Sequence, residues 1–208
     1  MITKTYLLAL AIFLLEVSVL ALVSPQIPTS IPVLDKGHLE GNTYKNISLG
    51  LELKPPPGFM LDTPQLTGTS DKLPLTVTVK ALSEKTWLST REAVFFYADT
   101  LAYYPQDQRS TTAYMRKVVR ANQKDGFELV ERNSAVELGG TSFVRTDFFK
   151  RGPAYEVVLA RACERQALVF VFTGSEKVVV DKLIAGTQVN LDLFISGCGS
   201  PDHPIVKK

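Results

Sequence analysis

From Leu168 to Phe172 the chain reads Leu-Val-Phe-Val-Phe, with no polar residue among them. A run this short and this rich in β-branched and aromatic residues is a strand, and without a wet side it must be covered on both faces. Tyr155–Glu164 and Gln166–Phe172 pair as a hairpin around this centre. The other periodic segments must therefore assemble about a sheet. Leu49, Leu51 and Leu53 alternate with polar residues after Thr43-Tyr44-Lys45-Asn46, giving two short strands with a turn between. Lys54-Pro55-Pro56-Pro57-Gly58-Phe59 stops the second, because proline cannot donate to a ladder. Residues 73–82 alternate again and predict a third strand. Phe127–Val130, Ser134–Leu138 and Ser142–Lys150 follow as strands, with Asn133 and Gly139-Gly140 at breaks, and Asn190–Phe194 predicts a last edge strand.

Three segments read as helices. Ser89-Thr90-Arg91-Glu92 has the form of a capping box, and Val94, Tyr97, Leu101 and Tyr104 then fall on one stripe before Pro105. Residues 111–124 suit a second helix, closed by Asp125-Gly126. Ser175 caps a third that runs to about Gly186. Helices grouped around one antiparallel sheet define an α+β class, and a doubly covered strand predicts helices packed on both faces.

The ends of the chain differ from this domain. Met1-Ile2-Thr3-Lys4 precedes an almost wholly apolar stretch from Tyr6 to Val23, the pattern of a signal peptide. Small residues at Val19-Leu20-Ala21 place cleavage after Ala21, giving a leader of residues 1–21. The competing reading is an uncleaved membrane anchor, against which Glu16 counts about 2.5–3.5 kcal/mol at mid-bilayer. Membrane contact is expected only in that case. Either way the remainder lies outside the cytoplasm, periplasmic or secreted. Residues 22–40 are rich in proline, serine and threonine and read as a linker, 41–198 as one α+β domain, and 199–208 as a loose tail. The leader also accounts for much of the mean hydropathy of +0.08. Export permits a disulfide, and Cys163 and Cys198 are the candidates, against two buried free thiols.

The order of elements and three local signals resemble the PsbP-like α/β/α sandwich families, which include many exported bacterial proteins. The first signal is Tyr44-Lys45-Asn46 ahead of Leu49–Leu53, closing on Pro57-Gly58-Phe59. The second is the aromatic-bearing helix after the third strand. The third is the Ser175-capped helix before Leu191-Asp192-Leu193-Phe194. The resemblance spans most of residues 41–198 and implies a fold. The family shares no catalytic set, so no functional residue carries over. Three consecutive prolines depart from the pattern and leave the shape of the first turn open.

Chemistry is sparse. Of 208 residues, 23 are basic and 21 acidic, a net charge of +2 that gives no nucleic-acid footprint. The two histidines, His38 and His203, fall in the arm and the tail, where nothing preorganises them for catalysis or metal binding. No metal or cofactor is expected. Acids at Asp99, Asp125, Glu128, Glu131, Asp147 and Glu156 read mainly as solvated surface. Arg145, Arg161 and Arg165 fall on neighbouring strands, where cross-strand pairing with Asp147 and Glu156 competes with an anion-binding patch. Residues 115–120, Met-Arg-Lys-Val-Val-Arg, form a basic amphipathic stretch that is either a solvated helix face or a membrane contact. Asn46-Ile47-Ser48 matches a glycosylation sequon, relevant only in a eukaryotic route.

Trp87, Phe95, Phe96, Tyr97, Tyr103 and Tyr104 crowd one predicted helix and its approach, more apolar girdle than one buried stripe uses. The sequence thus favours an exported, non-enzymatic binding or accessory domain of the bacterial cell envelope. Its expected occupant is an envelope protein partner or a small apolar ligand. The candidate binding residues are Trp87, Phe95, Phe96, Tyr103, Tyr104, Arg145 and Arg161. The alternative is a carboxylate-dependent periplasmic hydrolase with its acids in a sheet-edge cleft.

Overall fold

Alternation of side chains along extended backbone builds most of this protein, and two different cores result. The structure, a computed structural model, describes residues 34–68, 76–83, 92–101, 104–152, 154–163 and 165–192. In chain order the strands are β1 His38–Glu40, β2 Thr43–Asn46, β3 Leu51–Lys54, β4 Phe59–Leu61, β5 Gln65–Thr67, β6 Thr76–Ser83 and β7 Ala93–Thr100. Helix α1 Thr111–Lys124 precedes β8 Glu128–Leu138, β9 Thr141–Lys150, β10 Ala154–Ala162 and β11 Gln166–Gly174. Helix α2 Lys177–Gly186 and β12 Gln188–Leu191 follow.

Every described pairing is antiparallel. A small sheet runs β1-β2-β3-β12. A large one runs β4-β6-β7-β11-β10-β9-β8, with β5 sharing the outer edge of β6 beside β4. The apolar run Leu168–Phe172 lies on β11, paired to β7 on one side and β10 on the other.

Strand β10 shows how the two faces are used. Val157 and Leu159 join a core with Phe96, Phe143, Phe170 and Phe172, with Tyr44, Leu51 and Leu53 of the small sheet, and with Val180, Leu183 and Ile184 of α2. The rings of Phe96 and Phe170 are 5.0 Å apart, and Phe143 meets Phe170 edge-on at 5.5 Å, geometries that aromatic quadrupoles favour. Val158, Ala160 and Ala162 point the other way, into a second core with Met115 and Val119 of α1. The chain is therefore α+β and mostly antiparallel, with a sheet contributing to the layer opposite α1.

Local chemistry explains the elements that position this core. Ser110 caps α1, its hydroxyl accepting from the Ala113 amide. Asn46 is buried with its amide saturated. Its Nδ2 donates to the Asp35 carbonyl at 2.7 Å and the Tyr44 hydroxyl at 2.9 Å, and its Oδ1 accepts from Ser48 and the Leu49 amide. That arrangement closes the 3-10 turn Ile47–Leu49 and leaves no free amide nitrogen for the sequon chemistry. The Gly139-Gly140 turn joins β8 to β9 with both residues at positive φ. A Cβ on Gly139 would meet the Val189 carbonyl oxygen at 1.9 Å, so this hairpin tip lies directly on the backbone of β12.

Several expectations need correction. The segment expected as a helix after residue 89 is strand β7 over Ala93–Thr100. Val94 and Tyr97, expected on one stripe, lie on opposite faces of the sheet. The two strands expected around Asn133 are one strand, β8, with register shifts at Leu129/Glu131 and Glu131/Ser134 and with Asn133 at φ 57°. Glu176, not Ser175, is the N-cap of α2, and it makes no side-chain capping bond. Residues 38–40, expected at the end of the linker, form β1. The leader, Trp87, Ser89, Tyr103, Cys198, His203 and the tail lie outside the described residues. No helix among the described residues is long and apolar enough to cross a membrane.

Candidate functional site

On the α1 side of the large sheet, Tyr97, Tyr104 and Tyr114 pack against one core. Helix α1 lies over β8, β9 and β10. Next to it, Phe95, Tyr97 and Asp99 of β7 project on the same face, half-buried. Register sets Thr76, Thr78 and Lys80 of β6 beside Asp99, Tyr97 and Phe95 in turn, and Val169 and Val171 of β11 beside Tyr97 and Phe95. The Phe95 and Tyr97 rings stack at 6.2 Å with planes 12° apart.

Asp99 is fully engaged. Thr76 Oγ1 donates to its Oδ1 at 2.7 Å, and the Tyr114 hydroxyl of α1 donates to its Oδ2. This pair ties the helix to the sheet. Burial, then the Asp99 charge and its hydrogen bond, push the Tyr114 phenol far above its ordinary 10.0, so it stays a donor. Burial also raises Tyr97, with Glu156 and Asp99 adding to the effect, and raises Tyr104, helped by Asp99. Lys117 Nζ sits 3.7 Å from the centre of the Tyr104 ring, a cation–π contact that fixes the ring at the helix flank. On β10, Glu156 accepts from Asn122 Nδ2 of α1 at 2.5 Å. Burial lifts its carboxyl above the ordinary 4.5 against the opposing effect of that hydrogen bond. The face thus offers two stacked rings, phenols held neutral and one carboxyl of raised pKa. It can stack on and hydrogen-bond to a partner.

Of the three arginines expected as an anion patch, Arg145 and Arg161 make contacts within the fold and Arg165 is exposed. Arg145 donates from Nε to Asp147 Oδ1 at 2.6 Å and from Nη2 to Asp147 Oδ2 and Asp181 Oδ1, each at 2.8 Å. Tyr155 donates to the same Asp147 at 2.8 Å, and Lys177 pairs with Asp181 at 2.7 Å. Asp147 is 0 % exposed, so this alternating chain of charges is the polar fastening of α2 to β9 and β10. Three of the five N–H donors of the Arg145 guanidinium are thus committed to carboxylates within the fold. Glu156, expected as its partner, lies on the other face. Arg161 donates from Nη1 to the Ser142 carbonyl at 2.9 Å, and burial lowers its pKa.

Of the expected binding residues, the structure brings Phe95 and Tyr104 to the α1 side of the sheet. Phe96 is a correction: on an alternating strand its neighbour Phe95 faces the α1 side while Phe96 itself is wholly buried in the opposite core. Trp87 and Tyr103 lie outside the described residues. Tyr114, Asp99, Glu156 and Asn122 were not anticipated as a group, because their meeting depends on how α1 crosses the sheet. His38 lies on β1 and bonds to exposed Glu40 at 3.2 Å. Among the described residues no group of three or more His, Cys, Asp or Glu is placed to hold a metal.

These features define an antiparallel α+β domain with an aromatic, hydrogen-bonding sheet face. No family profile and no curated protein matches the sequence. Among solved structures, the chain has a fold-level resemblance to cyanobacterial PsbP from Synechocystis sp. PCC 6803. The match has TM-score 0.44 and 13% identity, over 78% of this chain and 99% of that one. A protein from Bacteroides thetaiotaomicron is similar at TM-score 0.39 and 10% identity, over 74% of this chain and 49% of the other, so this chain spans about half its length.

Proposed function

We propose that the protein is an exported, non-enzymatic binding or accessory domain of the cell envelope, and that it engages its partner through the Phe95–Tyr97–Tyr104 face. The carrying observation is the stacked pair Phe95 and Tyr97, half-buried on sheet strands beside α1 rather than beneath it. Aromatic side chains that keep a partly open face supply much of the energy of protein and small-ligand interfaces. In this reading the layers form an α/β/α sandwich, with α2 and the small sheet sharing one outer layer. A Cys163–Cys198 bridge ties the last residues to the end of β10. No described cysteine is a free thiol, and Cys163 is buried there, which supports that bridge.

The hydrolase alternative needs two convergent acids. Asp99 has both oxygens occupied by fixed donors, and Asp147 is enclosed by Arg145 and Tyr155. Glu156 has a carboxyl raised by burial, as a general acid would, but it lies on the opposite face of β10 from Asp147. The test is capture from envelope extracts by immobilised mature protein, repeated with Phe95→Ala, Tyr97→Ala and Tyr104→Ala. A partner retained by the wild type and lost at least about tenfold in the variants is expected. Equal retention by all three sinks this face, and turnover in an unbiased metabolite screen overturns the non-enzymatic reading.

A further inference from the structure

We propose that the groove between α1 and the bulged part of β8 is an oxyanion site for a phosphate group, held by Arg116, Arg120 and Arg132. This site is separate from the aromatic face and does not depend on it. The groove encloses about 250 Å³ and is walled by Thr112, Arg116, Arg120, Gln123, Arg132 and Asn133 over a floor of Met115 and Val119. Arg116 and Arg120 stand four residues apart, so their side chains share one face of the helix. The helix itself, from Thr111 to Lys124, carries Arg116, Lys117, Arg120 and Lys124 and no acid, so it supplies no internal counter-charge.

The opposite wall is made by an irregularity. Arg132 and Asn133 make up the second register shift of β8, between the paired residues Glu131 and Ser134, and have no register partner on β9. Asn133 is the one non-glycine residue at positive φ among the described residues. A bulge re-aims side chains that a regular strand would point elsewhere, and strain of this kind gathers where a ligand is held. Among the described residues none of the three arginines has a carboxylate partner, in contrast to Arg145 and its two. All three arginines are exposed and line one small groove, where their N–H donors are open to an anion from solvent. The planar forks of arginine match phosphate oxygens two at a time. The volume is below that of a usual drug-sized pocket, roughly 300–1,000 Å³, and suits a phosphate ester with a short carbon stem on the Met115 and Val119 floor.

Such an ester could be a free metabolite or a lipid headgroup, and the experiment separates them. Glycerol phosphate is titrated calorimetrically against the wild type and against Arg116→Gln, Arg120→Gln and Arg132→Gln, singly and together. In parallel, phosphatidylglycerol and phosphatidylcholine vesicles are floated with the same proteins. Circular dichroism confirms that each variant is folded. Expected is saturable binding, weakened by salt, that falls about tenfold in each single variant and is lost in the triple. Binding to glycerol phosphate identifies a soluble ligand, and flotation with phosphatidylglycerol alone identifies a headgroup. Equal binding by the wild type and the folded triple variant, or no response to either probe, overturns the proposal.

Discussion

At the residue scale, two carboxyls with opposite environments give the protein a pH signature. Glu156 is raised above 4.5 chiefly by burial. In the interval between 4.5 and its folded pKa, the folded state binds the proton more tightly than the unfolded one, so stability falls as pH rises through that interval. Glu156→Gln keeps the oxygen that accepts from Asn122 and removes the charge. The variant is expected to melt higher than wild type at pH 8 and to lose the decline, which thermal unfolding across pH 4–8 will record. Asp181 behaves oppositely. Burial works to raise it, but hydrogen bonds from Lys177 and Arg145 outweigh burial and hold it below 3.8. Its contribution is present above pH 3.8 and is lost as the pH falls through its lowered folded value, so Asp181→Asn should flatten the acid limb of the same curve.

At the scale of elements, the tip of the β8–β9 hairpin is the informative place. Gly139 and Gly140 both have positive φ, yet of the two only an added Cβ at Gly139 would meet a neighbour, the backbone of β12. Gly140→Ala therefore bears only the left-handed penalty, about 1–2 kcal/mol. Gly139→Ala adds a backbone clash that has to push β12 away, and should be the more destabilising of the two in denaturant unfolding. Equal losses would show that the hairpin does not lean on β12.

The same scale explains what the residues could and could not announce. The turn at Gly139-Gly140, helix α1, and the β10–β11 hairpin were legible because their signals are local. Strand β7 was not. Val94, Phe96 and Ala98 enter one core while Phe95 and Tyr97 face the other side, so both faces are apolar and the period of two is hidden. A helical stripe can then be drawn through Val94, Tyr97 and Leu101 by coincidence, and a capping-box pattern encouraged it. Asn133 was legible as a break but not as a bulge, since only pairing with β9 distinguishes an interruption from a bend. The candidate face was half legible: its aromatics stood out, while Asp99, Tyr114 and Glu156 converge only through α1 packing.

For the molecule as a whole, the proposed bridge from Cys163 is the most direct check on compartment. Intact mass under alkylating conditions should show no reactive thiol. Reduction should lower stability by about 3–4 kcal/mol, the entropy of closing a loop of about 35 residues. Two alkylated cysteines in the native protein would remove the bridge from the proposal.

The pairing of β3 with β12 joins an early part of the chain to one of its last strands. A polypeptide delivered from its N-terminus, by ribosome or by pore, presents the open hydrogen-bonding edge of β3 long before β12 exists. Until then, Leu51 and Leu53 have a sheet closed on one side only. Completion of the small sheet is therefore timed by the arrival of β12, a pairing of high sequence separation whose loop-closure cost is met last.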